Sequence, residues 1–385
     1  MLIRTFPSLH WSWSDNSVCR NAVETLLNRA DIEINGRRPW DIQVHHPEFY
    51  RRVLGDTSLG FGESYMDGWW DCERLDELVY RILHARLDEQ ARSWRDILAF
   101  LQANLFNLQH IKRTFHIGQH HYDIGNNFYQ AMLDRRMIYS CAYWKDAKDL
   151  ETAQEAKLDL VCRKIGLKPG MRVLDIGCGW GGAAKFAAER YGVEVYGITV
   201  SKEQACYAQQ VCQGLPVVIE LKDYREINEK FDRVFSIGMF EHVGSKNYLA
   251  YMDVISKCLA DDGLSLLHTI GGNASRIYGC PWVEKYIFPN SMLPSITQIG
   301  AAIENRFVLE DWQNFGPDYD RTLLAWNDNF ERNWPFLCSQ YDERFCRMWR
   351  FYLLGFAGAF RARHIQLWQV ILSPHGCMER YDAPR

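Results

Sequence analysis

The chain has 385 residues, more than one hydrophobic core usually serves, and its 47% hydrophobic and 24% charged residues are those of an ordinary globular protein. A formal net charge of −4 offers no bulk attraction to nucleic acid, and no apolar run approaches the roughly 20 residues that span a bilayer. The twelve cysteines are scattered without a C-x-x-C pair, which argues for reduced thiols in a cytoplasmic protein and against a disulfide framework or a metal site. Met1-Leu2-Ile3-Arg4 runs at once into polar and aromatic residues and does not read as a signal peptide.

The first 110 residues carry twelve Arg, no Lys and sixteen acidic residues, whereas the remainder is balanced. That shift predicts an N-terminal domain over 1–105, a linker over 106–120 and a second domain over 121–385. Residues 21–30 read as a helix with Val23, Leu26 and Leu27 on one face. Residues 31–36 alternate and then turn, like a strand entering a hairpin. The stretch 60–70, rich in glycine and aromatics, reads as a tight packed turn or a ligand contact. Further helices are expected at 75–87 and 94–105, so the domain is a small α+β unit.

The strand at 172–177 is the most informative element. It closes on Val173-Leu174-Asp175-Ile176-Gly177-Cys178-Gly179-Trp180-Gly181-Gly182, a G-x-G-x-x-G turn followed by a helix over 181–190. Glycines at such a turn accept positive φ and let a ligand approach the backbone. Dinucleotide enzymes use similar spacing. The Lys168-Pro169-Gly170 approach, Asp175 two residues before the first glycine, and the internal position of the motif favour S-adenosylmethionine (SAM). Strands at 193–198, 217–221, 233–237 and 264–270 follow, with a helix at 202–212. The alternation predicts an α/β fold, a doubly wound Rossmann-like parallel sheet. Ligands of such sheets bind beyond the carboxyl ends of the strands. The candidates there are Gly177, Gly179, Thr199, Ser201, Asp223, Tyr224, Gly238, Glu241 and His268. The acid expected at the end of the second strand is missing, so either Thr199, Ser201 or Gln204 serves the ribose or the site is of another kind. Ser201 fits equally well as an N-cap.

Seven motifs in one order carry a resemblance. They are Glu63-Ser64-Tyr65-Met66-Asp67-Gly68-Trp69, His121-Tyr122-Asp123-Ile124-Gly125-Asn126, Tyr139-Ser140-Cys141-Ala142-Tyr143-Trp144, the glycine turn, Gly238-Met239-Phe240-Glu241-His242-Val243-Gly244, His268-Thr269-Ile270-Gly271 and Gly358-Ala359-Phe360-Arg361-Ala362-Arg363. Together the chain resembles the cyclopropane-fatty-acyl-phospholipid synthases, from the N-terminal domain to a last strand at 365–372. The N-terminal domain points to the bacterial phospholipid-modifying branch.

The resemblance implies a SAM-dependent methyltransferase fold and transfer of the SAM methyl group to a cis alkene of a phospholipid acyl chain, closing a cyclopropane. Tyr139 and Ser140 would join the cofactor residues. A bound bicarbonate ion would accept the proton, held by Cys141, Glu241, His268, Tyr319 and the backbone of Ile270. The resemblance also implies a homodimer, cytoplasmic and peripherally attached to the inner face of the cell membrane. The chemistry is consistent. His268 and Tyr319 can donate to an anion, Glu241 can accept from its hydroxyl, and Cys141 is a weak donor rather than a nucleophile. Without the resemblance His268, at a strand end, is the best candidate, and the other three have plainer readings. Cys141 is buried filler, Glu241-His242 opens a helix, and Tyr319 is a loop aromatic. Other activities remain open at this point: a methyl-branched or methylene product, a lipid carrier with a vestigial fold, or a nicotinamide oxidoreductase. Arg344, Arg347 and Arg350 recur every three residues, as a basic face for anionic headgroups or as stems covering a core.

Overall fold

The structure, a computed structural model, describes residues 16–90, 124–276 and 278–385. The helix expected at 94–105, the linker, and His121-Tyr122-Asp123 lie outside these residues.

The N-terminal lobe is built from α1 (Asn16–Asn28), a two-stranded ribbon of β1 (Gln43–Val44) and β2 (Trp70–Asp71), α2 (Phe49–Met66), α3 (Leu75–His84) and the single turn α4 (Leu87–Gln90). Its core gathers Val23, Leu27, Ile32, Ile42, Phe49, Trp70 and Leu78. The strand expected at 31–36 does not form. Buried Asp41 instead accepts the backbone N–H groups of Glu33 and Arg38 and pairs with the Arg38 guanidinium, which curls the segment into a loop. The stretch 60–70 is not mainly a turn either. Residues up to Met66 belong to α2, which is kinked at Thr57, and only Asp67–Trp69 turn, through Gly68 at φ +71°. The helix expected to reach residue 87 stops at His84, because Arg86 adopts φ +54°.

The second lobe carries a seven-stranded sheet. In chain order its elements are α5 (Asn126–Met132), α6 (Leu150–Lys164), β3 (Arg172–Ile176), α7 (Gly182–Tyr191), β4 (Glu194–Thr199), α8 (Lys202–Val211), β5 (Val217–Leu221), β6 (Phe231–Ile237), α9 (Tyr248–Cys258), β7 (Leu259–Gly272), α10 (Pro281–Tyr286), α11 (Ile296–Ile303), β8 (Val308–Asn314), α12 (Gly316–Leu337), α13 (Glu343–Arg361) and β9 (Ile365–Ser373). The strand order is β5-β4-β3-β6-β7-β9-β8. Strands β3 to β7 are parallel, but β9 runs antiparallel to both neighbours, so the sheet is mixed and not purely parallel. The order reverses at β3, which opens a crevice over its carboxyl end. Helix α6 starts at an Asp149–Thr152 capping box and buries a stripe of Leu150, Ala153, Gln154, Lys157, Leu160, Val161 and Lys164.

Helix α13 joins the lobes, and Phe351 packs into the cores of both. Of the two readings of Arg344, Arg347 and Arg350, the structure fits side chains engaged with neighbouring elements of the protein, not a free basic face. Arg344 pairs with Asp67, Arg347 with Asp71 and the carbonyls of Tyr65 and Trp70, and Arg350 with Glu331. Arg361 bridges Asp76 of α3 to Asp320 of α12. Next to them Glu63 accepts from Lys285 and from the Tyr286 hydroxyl. Gly62 lets the Trp282 indole lie against α2; a Cβ there would stand 2.4 Å from the ring.

Candidate active site

A cavity opens over the carboxyl ends of β3, β4 and β6. Asp175, Gly177 and Gly179 form one side, Thr199 and Gln204 a second, and Tyr224 a third. Tyr139 and Ser140 close it from the segment before α6. The glycines are needed for different reasons. Gly177 sits at φ +84°, and a Cβ would collide with Met239 at 2.8 Å. Gly179 sits at φ +54° and a Cβ would meet nothing within 4 Å, so it faces open space at the cavity wall. Thr199 donates its hydroxyl to Gln204 Oε1 at 2.8 Å, fixing the amide at the wall.

Two predicted cofactor residues stand outside this wall. Ser201 caps α8 by accepting from the Gln204 N–H. Asp223 is fully buried and its carboxylate is consumed by Arg225, which accordingly reaches the wall. Lys157, Lys222, Arg225 and His242 are wall residues that the sequence reading did not assign. Burial drives His242 down to about 4, so its imidazole is neutral and adds no positive charge to the cavity.

None of the residues predicted to hold the proton acceptor, Cys141, Glu241, His268, Ile270 and Tyr319, lines this cavity; they connect to it through the wall residue Gly238, whose N–H donates to the His268 carbonyl. Glu241 Oε1 accepts the Ile270 N–H at 2.6 Å, and Oε2 is buried without a partner. Burial raises this carboxyl to about 7 against the pull of that N–H. Gln369 of β9 donates its amide to His268 Nδ1 at 3.2 Å, so the proton of the neutral ring sits on Nε2, which is also buried without a partner. Burial, then the charges of Lys157 and Lys164, hold His268 neutral. The Cys141 thiol contacts the carbonyls of Ala142 and Phe315, and burial pushes it far above its ordinary range, as suits a donor and not a nucleophile. Tyr319 lies on the first turn of α12, not in a loop, and packs on Phe360 and Trp326. The Ile270 N–H bond to Glu241 ties two of these five residues together. Tyr139 meets Tyr129, Trp326 and Phe288, so the cavity backs onto a cluster of aromatic faces.

The sequence pattern of the mycolic acid cyclopropane synthetase family matches residues 109–370. The chain belongs to that family. The cyclopropane-fatty-acyl-phospholipid synthase of Escherichia coli K12 is 55% identical over 349 residues, covering 90% of this chain and 91% of that protein. A probable fatty acid methyltransferase of Pseudomonas putida is 38% identical, with 89% of each chain covered. Among solved structures, the cyclopropane synthase MmaA2 from Mycobacterium tuberculosis superposes with a TM-score of 0.64 at 33% identity, over 67% of this chain and 97% of that one. The mycolic acid cyclopropane synthase CmaA1 complexed with SAH and CTAB gives 0.63 at 36% identity over the same shares. This cyclopropane synthase family member is therefore a SAM-dependent methyltransferase. Its cavity suits that cofactor: the glycine turn leaves open space at Gly179, and Asp175 Oδ2 is a buried acceptor without a partner, as an amino-acid ammonium would require. Among the described residues no helix is long and apolar enough to cross a membrane.

Proposed function

We propose that the protein transfers the SAM methyl group to the cis double bond of an unsaturated acyl chain in a membrane phospholipid and closes a cyclopropane ring, with bicarbonate as proton acceptor. The carrying observation is that two buried atoms lack partners along one stretch of β7: His268 Nε2–H, a donor, and Oε2 of Glu241, an acceptor on the carboxyl that already holds the Ile270 N–H. Each orphan group costs about 1–3 kcal/mol unless a ligand completes it. An anion that carries its own hydroxyl answers both at once, accepting from His268 and donating to Glu241. Bicarbonate supplies a base for the proton that leaves carbon, and SAM supplies an electrophilic methyl group. The chain's part is to place and shield them. Glu241 and His268 orient the anion, and Cys141 and Tyr319 border the same region. Tyr139, Tyr129, Trp326 and Phe288 exclude water and turn π faces toward a developing cation. Neutral His242 adds no further positive charge to oppose that cation.

The lipid is assigned to a second cavity of about 1260 Å³ between the lobes. Phe49, Phe61 and Val79 face it from one side, and Trp282 and Phe356 from the other. It reaches Gly272, two residues beyond Ile270, so an acyl chain lying there would point at the proton-accepting group. The N-terminal lobe would present the lipid, with the protein resting on the membrane surface. Labelled SAM, unsaturated phospholipid vesicles and fatty-acid mass spectrometry test this reading. Ring product that falls when dissolved carbonate is stripped, and returns when it is restored, is expected. A methyl-branched product, or full activity without carbonate, would overturn it.

A further inference from the structure

Lys157 is fully buried on the inward stripe of α6, yet it reaches the wall of the cofactor cavity. Its Nζ donates to Ser140 Oγ at 2.8 Å. One turn earlier on the same stripe, Gln154 donates to the Ser140 carbonyl at 2.8 Å. The two side chains hold Ser140 from both ends. An ammonium has donors only, so Ser140 Oγ must accept from it, and the serine's own proton is turned away from Lys157. Ser140 is itself buried and lines the cavity, which leaves the cavity as the place for that proton. The titratable groups that bear on Lys157 are the carboxyls of Asp134 and Asp175 and the neutral thiol of Cys141. Asp134 is occupied by the N–H groups of Arg136 and Ile138. Asp175 has an oxygen without a partner. This end of the cavity therefore offers a buried cation acting through a hydroxyl donor, and beside it the Asp175 carboxyl, which burial raises to about 8 against the pull of Lys157 and which an incoming ammonium would draw into its charged, accepting form. That is a charge pattern complementary to a zwitterionic amino acid.

We propose that Lys157 is a positioning residue that selects the carboxylate of the amino-acid end of SAM, by polarising the Ser140 hydroxyl and directing its proton into the cavity. Burial lowers the Lys157 amine to about 8, which keeps it mostly protonated at neutral pH. The inference rests on the reading that this cavity holds SAM, and binding alone tests it, without alkene or carbonate. Calorimetry would compare SAM with decarboxylated SAM on the intact protein. The natural protein should prefer SAM by tenfold or more. Lys157→Met should reduce that preference to threefold or less, and Lys157→Arg, which also has donors only, should keep it. Ser140→Ala should lose the preference to the same degree, and the double variant should lose no more than either single one. General loosening of the fold would weaken both ligands together and leave the ratio unchanged. A Lys157→Met protein with the full preference overturns the proposal, and so does a natural protein that binds both ligands equally. If Lys157→Met does not fold, Lys157→Gln and Ser140→Ala carry the same comparison. No binding of SAM by the natural protein would sink the cofactor reading itself, a distinguishable result.

Discussion

Glu241→Gln should make the protein less active, and more stable at neutral and higher pH but not in acid. Burial raises the Glu241 carboxyl from 4.5 to about 7. A carboxyl whose folded value lies above its unfolded one destabilises the fold as pH rises between the two. Below about pH 4.5 there is no penalty, and above pH 7 it is complete, at about 3 kcal/mol for a shift of this size. Glutamine keeps an oxygen for the Ile270 N–H but carries no charge. Its amide leaves donors unpaired, which returns roughly 1–2 kcal/mol at every pH. The difference between variant and parent should therefore move in the variant's favour by about 2 kcal/mol from pH 5 to pH 8, or roughly 2–3 °C in melting temperature for a chain of this size. Thermal melting of both proteins without ligand, at both pH values, measures it. Activity on unsaturated lipid should fall at the same time, because an acceptor has become a donor. Melting curves that shift in parallel with pH would show that Glu241 does not titrate in this window, and would remove the physical basis of its assignment.

Gly179→Val should leave the fold intact apart from about 1–2 kcal/mol of left-handed strain, while SAM affinity by calorimetry falls at least a hundredfold. Unchanged affinity would move the cofactor away from the glycine turn. Gly62→Ala places a Cβ 2.4 Å from Trp282 and should cost about 1–3 kcal/mol, read as a lower denaturant midpoint. Burial pushes Glu63 up, but Lys285, Tyr286 and Arg52 outweigh it and hold the group at about 2. Its contribution is complete above pH 4.5 and lost as pH falls toward 2. Glu63→Gln should therefore cost about 1–2 kcal/mol at neutral pH, after allowing for the exposed Lys285, and should flatten acid denaturation. An acid limb identical to the parent's would contradict the clamp.

The strands from 172 to 237 were legible because short apolar runs end at glycines and polar turns, and the glycine turn announced the cavity. Strand β8 was not. It reads Val308-Leu309-Glu310-Asp311-Trp312-Gln313-Asn314, and as a partly exposed edge strand it needs no apolar run. The reversed direction of β9 has no local signal at all, since pairing partners set it. Glycines inside α2 looked like a turn because their reason, the Trp282 ring, lies more than 200 residues away in sequence. The roles of Asp41 and Asp223, the latter expected at the cofactor, were hidden for a similar cause: each carboxylate is spent on a nearby arginine, which spacing alone does not reveal. Lys157 could have been found. It occupies an inward position of an otherwise apolar helical stripe, where an amine needs a reason.

Helix α13 lies between two cores, and that sets an order of events during synthesis. The N-terminal lobe leaves the ribosome first, but the helix that covers its faces is made about 250 residues later, a wait of roughly 15–50 s at ordinary elongation rates. Through that interval the surfaces of Phe61, Tyr65 and Trp70 that meet Phe351 have no native cover. Slowed translation between the lobes should therefore lengthen the lobe's dependence on chaperones, whereas slowing after α13 should not.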